Sequence, residues 1–387
     1  MTQIESDSEN SFGHYSNNSL YLAHKPLEVL TTRIKLNHLK SIYLAYSVSF
    51  NSSLVEKPMK IFDPQKLAKV ELHVHLDTSL SYYCAKQLLP EMDLKTFRDT
   101  FIAPNKCKDL GDFLSKIEPT LNILQTKLAI TLAVDDLFDQ LKADNVIYAE
   151  FRFAPLLHTR LGLSAEDVTQ TALDAMHKAS AKHEIEAGLL LCTLRHFNAE
   201  ESMKTAKLVT SFMNQGVVGL DLAADEARYP LDNHIAAFKH VRDLGGNVIA
   251  HAGEAKGAES VIEVLDKLKV TRVGHGVRCI ENEAVVTRLR QQNVLLEICP
   301  SCNIVCNVFE NIGSHSVQKL KQAGVRLSIN TDARTIAHTT LNEEYQLLHD
   351  MFGWQNEDFI QTNIDALNAS FISSETRDKL LPLVQTY

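Results

Sequence analysis

From about Lys66 onward the sequence alternates short apolar runs rich in β-branched residues with amphipathic helical patterns. The apolar runs end near Leu76, Phe153, Leu194, Leu222, Ala250, Gly274, Ile298 and Asn330. Helical periodicity covers Ser164–His183, Glu200–Met213, Asp232–Asp243, Ile280–Gln292 and His315–Gln322, and a longer stretch runs from Leu110 to Ala143. Strand and helix each have an apolar face that must be buried, and repeating the pair lays strands parallel with helices outside. Eight such units in about 300 residues suit a closed barrel better than a doubly wound sheet. The expected fold class is therefore α/β, a (β/α)8 TIM barrel with extra helices after strand 1. Two or three closing helices are expected over Leu341–Leu380.

The barrel accounts for residues 61–387, and residues 1–60 differ from it. Thr2 to Ser19 is rich in Ser, Asn and acidic residues, so residues 1–60 are expected to form a partly disordered arm. Residues 30–50 carry Arg33, Lys35 and Lys40 with no acidic residue, a transit-peptide-like composition that the acidic opening argues against. Hydrophobic residues at 45% and charged ones at 22% give a full core. The net charge of −9 and the lack of a basic patch disfavour nucleic acid. No apolar run reaches the roughly 18 residues of a membrane span, and no basic segment with an apolar successor opens the sequence. With seven cysteines, an odd number lying mostly in apolar segments, the expectation is reduced thiols in a cytoplasmic enzyme. Cys299, Cys302 and Cys306 have spacing that could hold zinc or an iron–sulfur cluster. Without a fourth cysteine nearby they read as buried thiols.

Barrel enzymes build their sites at the C-terminal ends of the strands, and titratable residues gather there. The first strand reads Glu71-Leu72-His73-Val74-His75-Leu76-Asp77, so strand alternation sends His73, His75 and Asp77 to one face. The fifth ends Ala250-His251-Ala252-Gly253-Glu254, where Gly253 permits a sharp turn. After the sixth comes Gly274-His275-Gly276, whose glycines leave room for a ligand, and after the eighth Asn330-Thr331-Asp332. Each has an ordinary reading alone: satisfied core histidines, a helix-entry glutamate, a turn histidine, a loop aspartate. Their coincidence at the same end of four strands is what points to a site. His73, His75, His251 and Asp332 make a donor set suited to Zn2+ or a similar divalent ion. Binuclear barrel sites commonly add an acidic or modified lysine ligand on a middle strand. The fourth strand's end, Asp221-Leu222-Ala223-Ala224-Asp225-Glu226, has no lysine, so one metal ion is expected.

In this order, His-Val-His-Leu-Asp, His-Ala-Gly-Glu, Gly-His-Gly and Asn-Thr-Asp resemble the adenosine deaminase family of metal-dependent amidohydrolases, over roughly residues 66–353. Glu226 and the Leu341–Tyr345 segment resemble it too. The resemblance implies deamination of adenosine and 2′-deoxyadenosine to the inosine product and ammonia, by a metal-activated water attacking purine C6. It assigns Glu254 as the proton donor to N1, His275 as base and electrostatic partner of the water, and Asp332 as both ligand and orienting group. Asp77 would meet the ribose 5′-hydroxyl and disfavour a 5′-phosphate, and the Ala224 N–H would meet purine N3. The family pattern is broken by Thr78 and Ala224 in place of glycine and by Ala333 in place of a second aspartate. Each departure is expected to weaken binding by about 1–3 kcal/mol. The same chemistry on adenine or another aminopurine nucleoside is the alternative, and a purine-binding relative without turnover is the other. The sequence leaves oligomeric state open.

Overall fold

The structure, a computed structural model, describes residues 62–386, so the expected arm at residues 1–60 lies outside the described residues. Eight strands form one sheet in sequence order: β1 (Lys69–His75), β2 (Val146–Phe153), β3 (Glu186–Leu194), β4 (Val217–Ala223), β5 (Asn247–Ala252), β6 (Arg272–His275), β7 (Leu295–Ile298) and β8 (Arg326–Ile329). Neighbours are parallel throughout, as strands joined by crossover helices must be. Observed strand ends fall within two residues of those expected from sequence.

The sheet curls into a nearly closed barrel whose seam joins β1 to the end of β8. Val74 bridges Asp332. The His75 N–H donates to the Asp332 carbonyl and the Asp332 N–H to the His73 carbonyl, both at 2.8 Å. Below them the Leu72 N–H donates to Asn330 Oδ1 at 2.9 Å. The seam thus fixes two residues of β1 against one following β8. Strand β1 stops at His75, so Asp77 sits in the short 3-10 turn Leu76–Thr78 rather than on the strand.

Helices surround the sheet and bury their apolar stripes against it, as in Ala165–His183, where Val168, Ala172, Leu173, Met176 and Ala179 face inward. The helical region expected from Leu110 to Ala143 is divided among three α-helices, Leu110–Leu114, Glu118–Ile123 and Lys127–Ala143. Pro119 lacks an N–H, so it opens a helix rather than continuing one, and Thr126 starts the last by accepting from the Ala129 N–H. Three closing helices follow β8: Leu341–Phe352, Asn356–Ala369 and Ser374–Val384. Among the described residues no helix is long and apolar enough to cross a membrane.

Candidate active site

The barrel's C-terminal mouth brings together every sequence-predicted metal-site residue. His73 and His75 come from β1, His251 from β5, His275 closes β6, and Asp332 follows β8. Donor atoms of His73, His251, His275 and Asp332 all lie within 4.8 Å of one another. His75 joins them through Nε2, 3.3 Å from His251 Nε2 and 3.4 Å from Asp332 Oδ1. His73 Nε2 lies 3.4 Å from the same oxygen, buried and without a hydrogen-bond partner. Converging imidazole nitrogens around a buried carboxylate suit a divalent transition ion.

The electrostatics of this cluster also favour a cation. Burial alone would raise the Asp332 carboxyl, yet His73 and the other imidazoles hold it well below the usual carboxylate range. Burial and the Arg152 charge lower His73, but Asp332 and Glu297 outweigh them and leave it above the usual imidazole value. Burial takes His75 down to about 3.

Two carboxylates that sequence reasoning missed orient the histidines. His73 Nδ1 donates to Glu297 Oε2 at 2.9 Å and His251 Nδ1 to Asp221 Oδ1 at 3.2 Å. Each bond uses up the ring's one proton and turns the bare Nε2 toward the cluster. Arg152 bridges the two carboxylates, at 2.9 Å to Asp221 Oδ2 and 2.9 Å to Glu297 Oε2. The sequence signal was there: Asp221 and Glu297 are the lone charges of their apolar strands and Arg152 lies inside another, and a barrel interior tolerates such groups only with charged or hydrogen-bonding partners.

Glu254 is buried beside the cluster, with Oε2 3.6 Å from His275 Nε2. Burial, then the neighbouring Asp332, Glu226 and Asp225 charges, push its carboxyl well above the usual value, which favours the protonated form. Glu226 fixes the turn that carries it, accepting from the backbone N–H of Gly253 at 3.1 Å, Glu254 at 2.7 Å and Lys256 at 2.8 Å. Gly253 has φ +66°, as the expected sharp turn requires. The glycines flanking His275 were read as space for a ligand, and the structure corrects this. A Cβ on Gly274 would lie 3.0 Å from the His73 ring, and one on Gly276 would lie 2.6 Å from Leu296. They make room for a neighbouring imidazole and for the core. His275 and Asp332 are themselves left-handed, both with φ 61°, a cost of about 1–3 kcal/mol each that the seam and β6 sustain.

Beside the cluster a cavity of about 370 Å³ opens, lined by His75, Asp77, Ala224 and apolar residues including Leu114, Ile117 and Leu157. A smaller recess of about 40 Å³ connects Ala224 with His251, Glu254, His275 and Asp332. Asp77 is buried, with Oδ2 3.7 Å from His158 Nε2. Thr78 turns its hydroxyl back onto the carbonyls of His75 and Asp332, at 3.2 and 3.3 Å, so it helps tie the seam. Ala333 packs in an apolar cluster with Cys107, Cys299 and Ile336. Ala224 adopts φ 75°, a conformation that suits glycine. All seven cysteines are free and buried, and Cys299 takes no part in the one sulfur-bearing group of possible ligands among the described residues, Glu254 with Cys302 and Cys306.

Comparison with known proteins bears on the whole barrel. A model of the family "Adenosine deaminase" matches residues 68–387. An adenosine deaminase of Lacticaseibacillus casei is 33% identical over 332 residues, which is 83% of this chain and 98% of that protein. One from Clostridium botulinum strain Loch Maree is 30% identical over 328 residues, 83% of this chain and 98% of that one. Among solved structures, the adenine deaminase of Arthrobacter aurescens superposes with TM-score 0.76 at 23% identity, covering 82% of this chain and 98% of its own. The N6-mAMP deaminase of Arabidopsis gives TM-score 0.75 at 22% identity, covering 84% and 99%. These last two share the fold, whereas the family match extends along the strands that carry His73, His75, His251, His275 and Asp332, and on it the chain belongs to the adenosine deaminase family of the amidohydrolase superfamily.

Proposed function

We propose that the protein hydrolyses the 6-amino group of a purine nucleoside, adenosine and 2′-deoxyadenosine, to give the inosine product and ammonia. The observation that carries this reading is the buried Glu254 carboxyl facing His275, next to a cluster of four histidines and one aspartate. His73, His75, His251 and Asp332 would hold one Zn2+, which when bound supplies electrophilic activation of a water. Glu254 gives its proton to ring N1, so that electron density leaves C6 as the water oxygen bonds there. Asp332, with His275 beside it, takes up the first proton the water loses and returns it to the departing nitrogen. The C6–N6 bond then breaks, ammonia leaves, and the proton remaining on the C6 oxygen is released as the C6=O bond forms and restores the Glu254 carboxyl.

Asp77 and the Ala224 N–H carry substrate choice. Asp77 lines the same cavity as His75, where a carboxylate would accept from a ribose 5′-hydroxyl and repel a 5′-phosphate. Replacing Asp77 with Ala tests this directly. KM for adenosine should rise by about tenfold or more, the loss of one hydrogen bond to a charged group, with adenine turnover nearly unaffected. Equal effects on adenosine and adenine would move the native substrate away from the nucleoside.

A further inference from the structure

The cluster contains one imidazole more than a three-histidine, one-carboxylate site uses. Which one stands apart depends on which ring nitrogens carry protons. One backbone group fixes the polarity. The Val317 N–H donates to His315 Nδ1 at 3.0 Å, and a backbone amide nitrogen can only donate. His315 Nδ1 is therefore bare. Burial pushes His315 down to about 3, so the ring is neutral and its proton sits on Nε2. Phe309 packs against the ring, with centroids 4.6 Å apart and the planes tilted by 50°, and helps hold it in place.

That Nε2–H donates to Asn303 Oδ1 at 3.2 Å. With its oxygen so engaged, the Asn303 side chain presents NH2 on its other side, 3.1 Å from His275 Nδ1 and 3.5 Å from Glu254 Oε1. An amide NH2 donates and does not accept, so His275 Nδ1 is an acceptor. An imidazole bare at Nδ1 carries its one proton on Nε2, which here faces Glu254 Oε2 at 3.6 Å and Asp332 Oδ2 at 3.7 Å. His73 and His251 are wired the opposite way. Their Nδ1 atoms meet carboxylates, so their Nε2 atoms are bare.

We propose that Asn303, itself oriented by His315, is a positioning residue that holds His275 as the Nε2–H tautomer, making His275 a hydrogen-bond donor to the reacting oxygen rather than a metal ligand or a base. His73, His75, His251 and Asp332 are then the ligand set, and the water's proton is left to Asp332, whose Oδ2 faces the same point. The catalytic consequence rests on the deaminase reading; the tautomer does not.

The test is long-range 1H–15N correlation on zinc-loaded protein labelled with [15N]histidine, with His275 assigned by its absence in His275→Gln. The expected spectrum shows His275 protonated at Nε2 and bare at Nδ1; a proton on Nδ1 overturns the proposal. Asn303→Asp offers His275 an acceptor in place of a donor and should move the proton to Nδ1. With it, kcat should fall roughly 100- to 10,000-fold while KM changes by less than about threefold, the signature of a wrong tautomer. His315→Gln can still donate to Asn303 and should keep the wild-type tautomer, whereas His315→Leu should give a mixture. An unchanged spectrum and kcat in Asn303→Asp also overturn the proposal, and if that variant does not fold, the wild-type spectrum decides. An Nε2–H signal in a protein that deaminates no aminopurine leaves the tautomer standing and removes the deaminase reading. Turnover with an Nδ1–H signal does the reverse.

Discussion

Glu297 accepts the Nδ1 proton of His73 at 2.9 Å, and the same oxygen accepts from Arg152 at 2.9 Å. One carboxylate thus sets the direction of a candidate metal-binding imidazole and neutralises a buried guanidinium. Glu297→Gln keeps the shape but can no longer balance both charges. Its metal affinity should fall about 10- to 100-fold in a chelator competition. Leaving Arg152 and Arg272 short of a partner should also cost about 3–5 kcal/mol in denaturant unfolding. Unchanged metal affinity would show that His73 is not held through Glu297.

The proposed ligand set draws on β1, β5 and the end of β8, across the barrel's closing seam. Metal removal should therefore loosen that seam. At a free-ion concentration about 100 times Kd, the bound ion adds about 2.7 kcal/mol, so the chelated protein should melt several degrees lower and recover on zinc addition. A Tm indifferent to chelation would mean that the cluster does not bind the ion tightly.

Ala224 holds φ 75° and lines both the large cavity and the smaller recess beside His251 and Glu254. Ala224→Gly keeps the N–H, removes the methyl and relieves about 1 kcal/mol of backbone strain. The expected outcome is a KM for adenosine lowered by about three- to tenfold with kcat within twofold of wild type, in steady-state assays.

Glu344 is fully buried, accepting from the Ser301 N–H at 3.1 Å and the Thr339 hydroxyl at 2.8 Å, and burial pushes its carboxyl up from 4.5 to about 7. The folded protein therefore binds more protons than the unfolded chain between those values. The Glu344 contribution is most favourable below pH 4.5 and is lost as pH rises through 7, on the order of 3 kcal/mol in all. Glu344→Gln should remove this slope, so its Tm relative to wild type should rise between pH 5.5 and pH 8. A constant difference across that range would contradict the assignment.

The barrel was legible because β1 to β8 are each bounded by turn residues and separated by amphipathic helices with period 3.6. The titratable residues at strand ends were legible because apolar runs that stop in His or Asp break a pattern. Other features depend on contacts between distant strands, which local periodicity does not encode. The pairing of Asp221 with His251 spans 30 residues and that of Glu297 with His73 spans 224. The His315–Asn303–His275 chain joins a loop, a helix and a strand end, and nothing in the spacing of those residues announces it. Gly274 and Gly276 were misread for the same reason: what a missing Cβ makes room for depends on which side chain packs there.

The most direct measurement is ammonia release with the accompanying ultraviolet change when zinc-loaded protein meets adenosine, with adenine and AMP alongside and Glu254→Gln as control. Adenosine should be deaminated, AMP rejected, and the control reduced by about 100-fold or more, because an amide cannot give N1 a proton. Full activity in the Glu254→Gln protein, or zinc-loaded protein silent toward adenosine, would contradict the account at its centre.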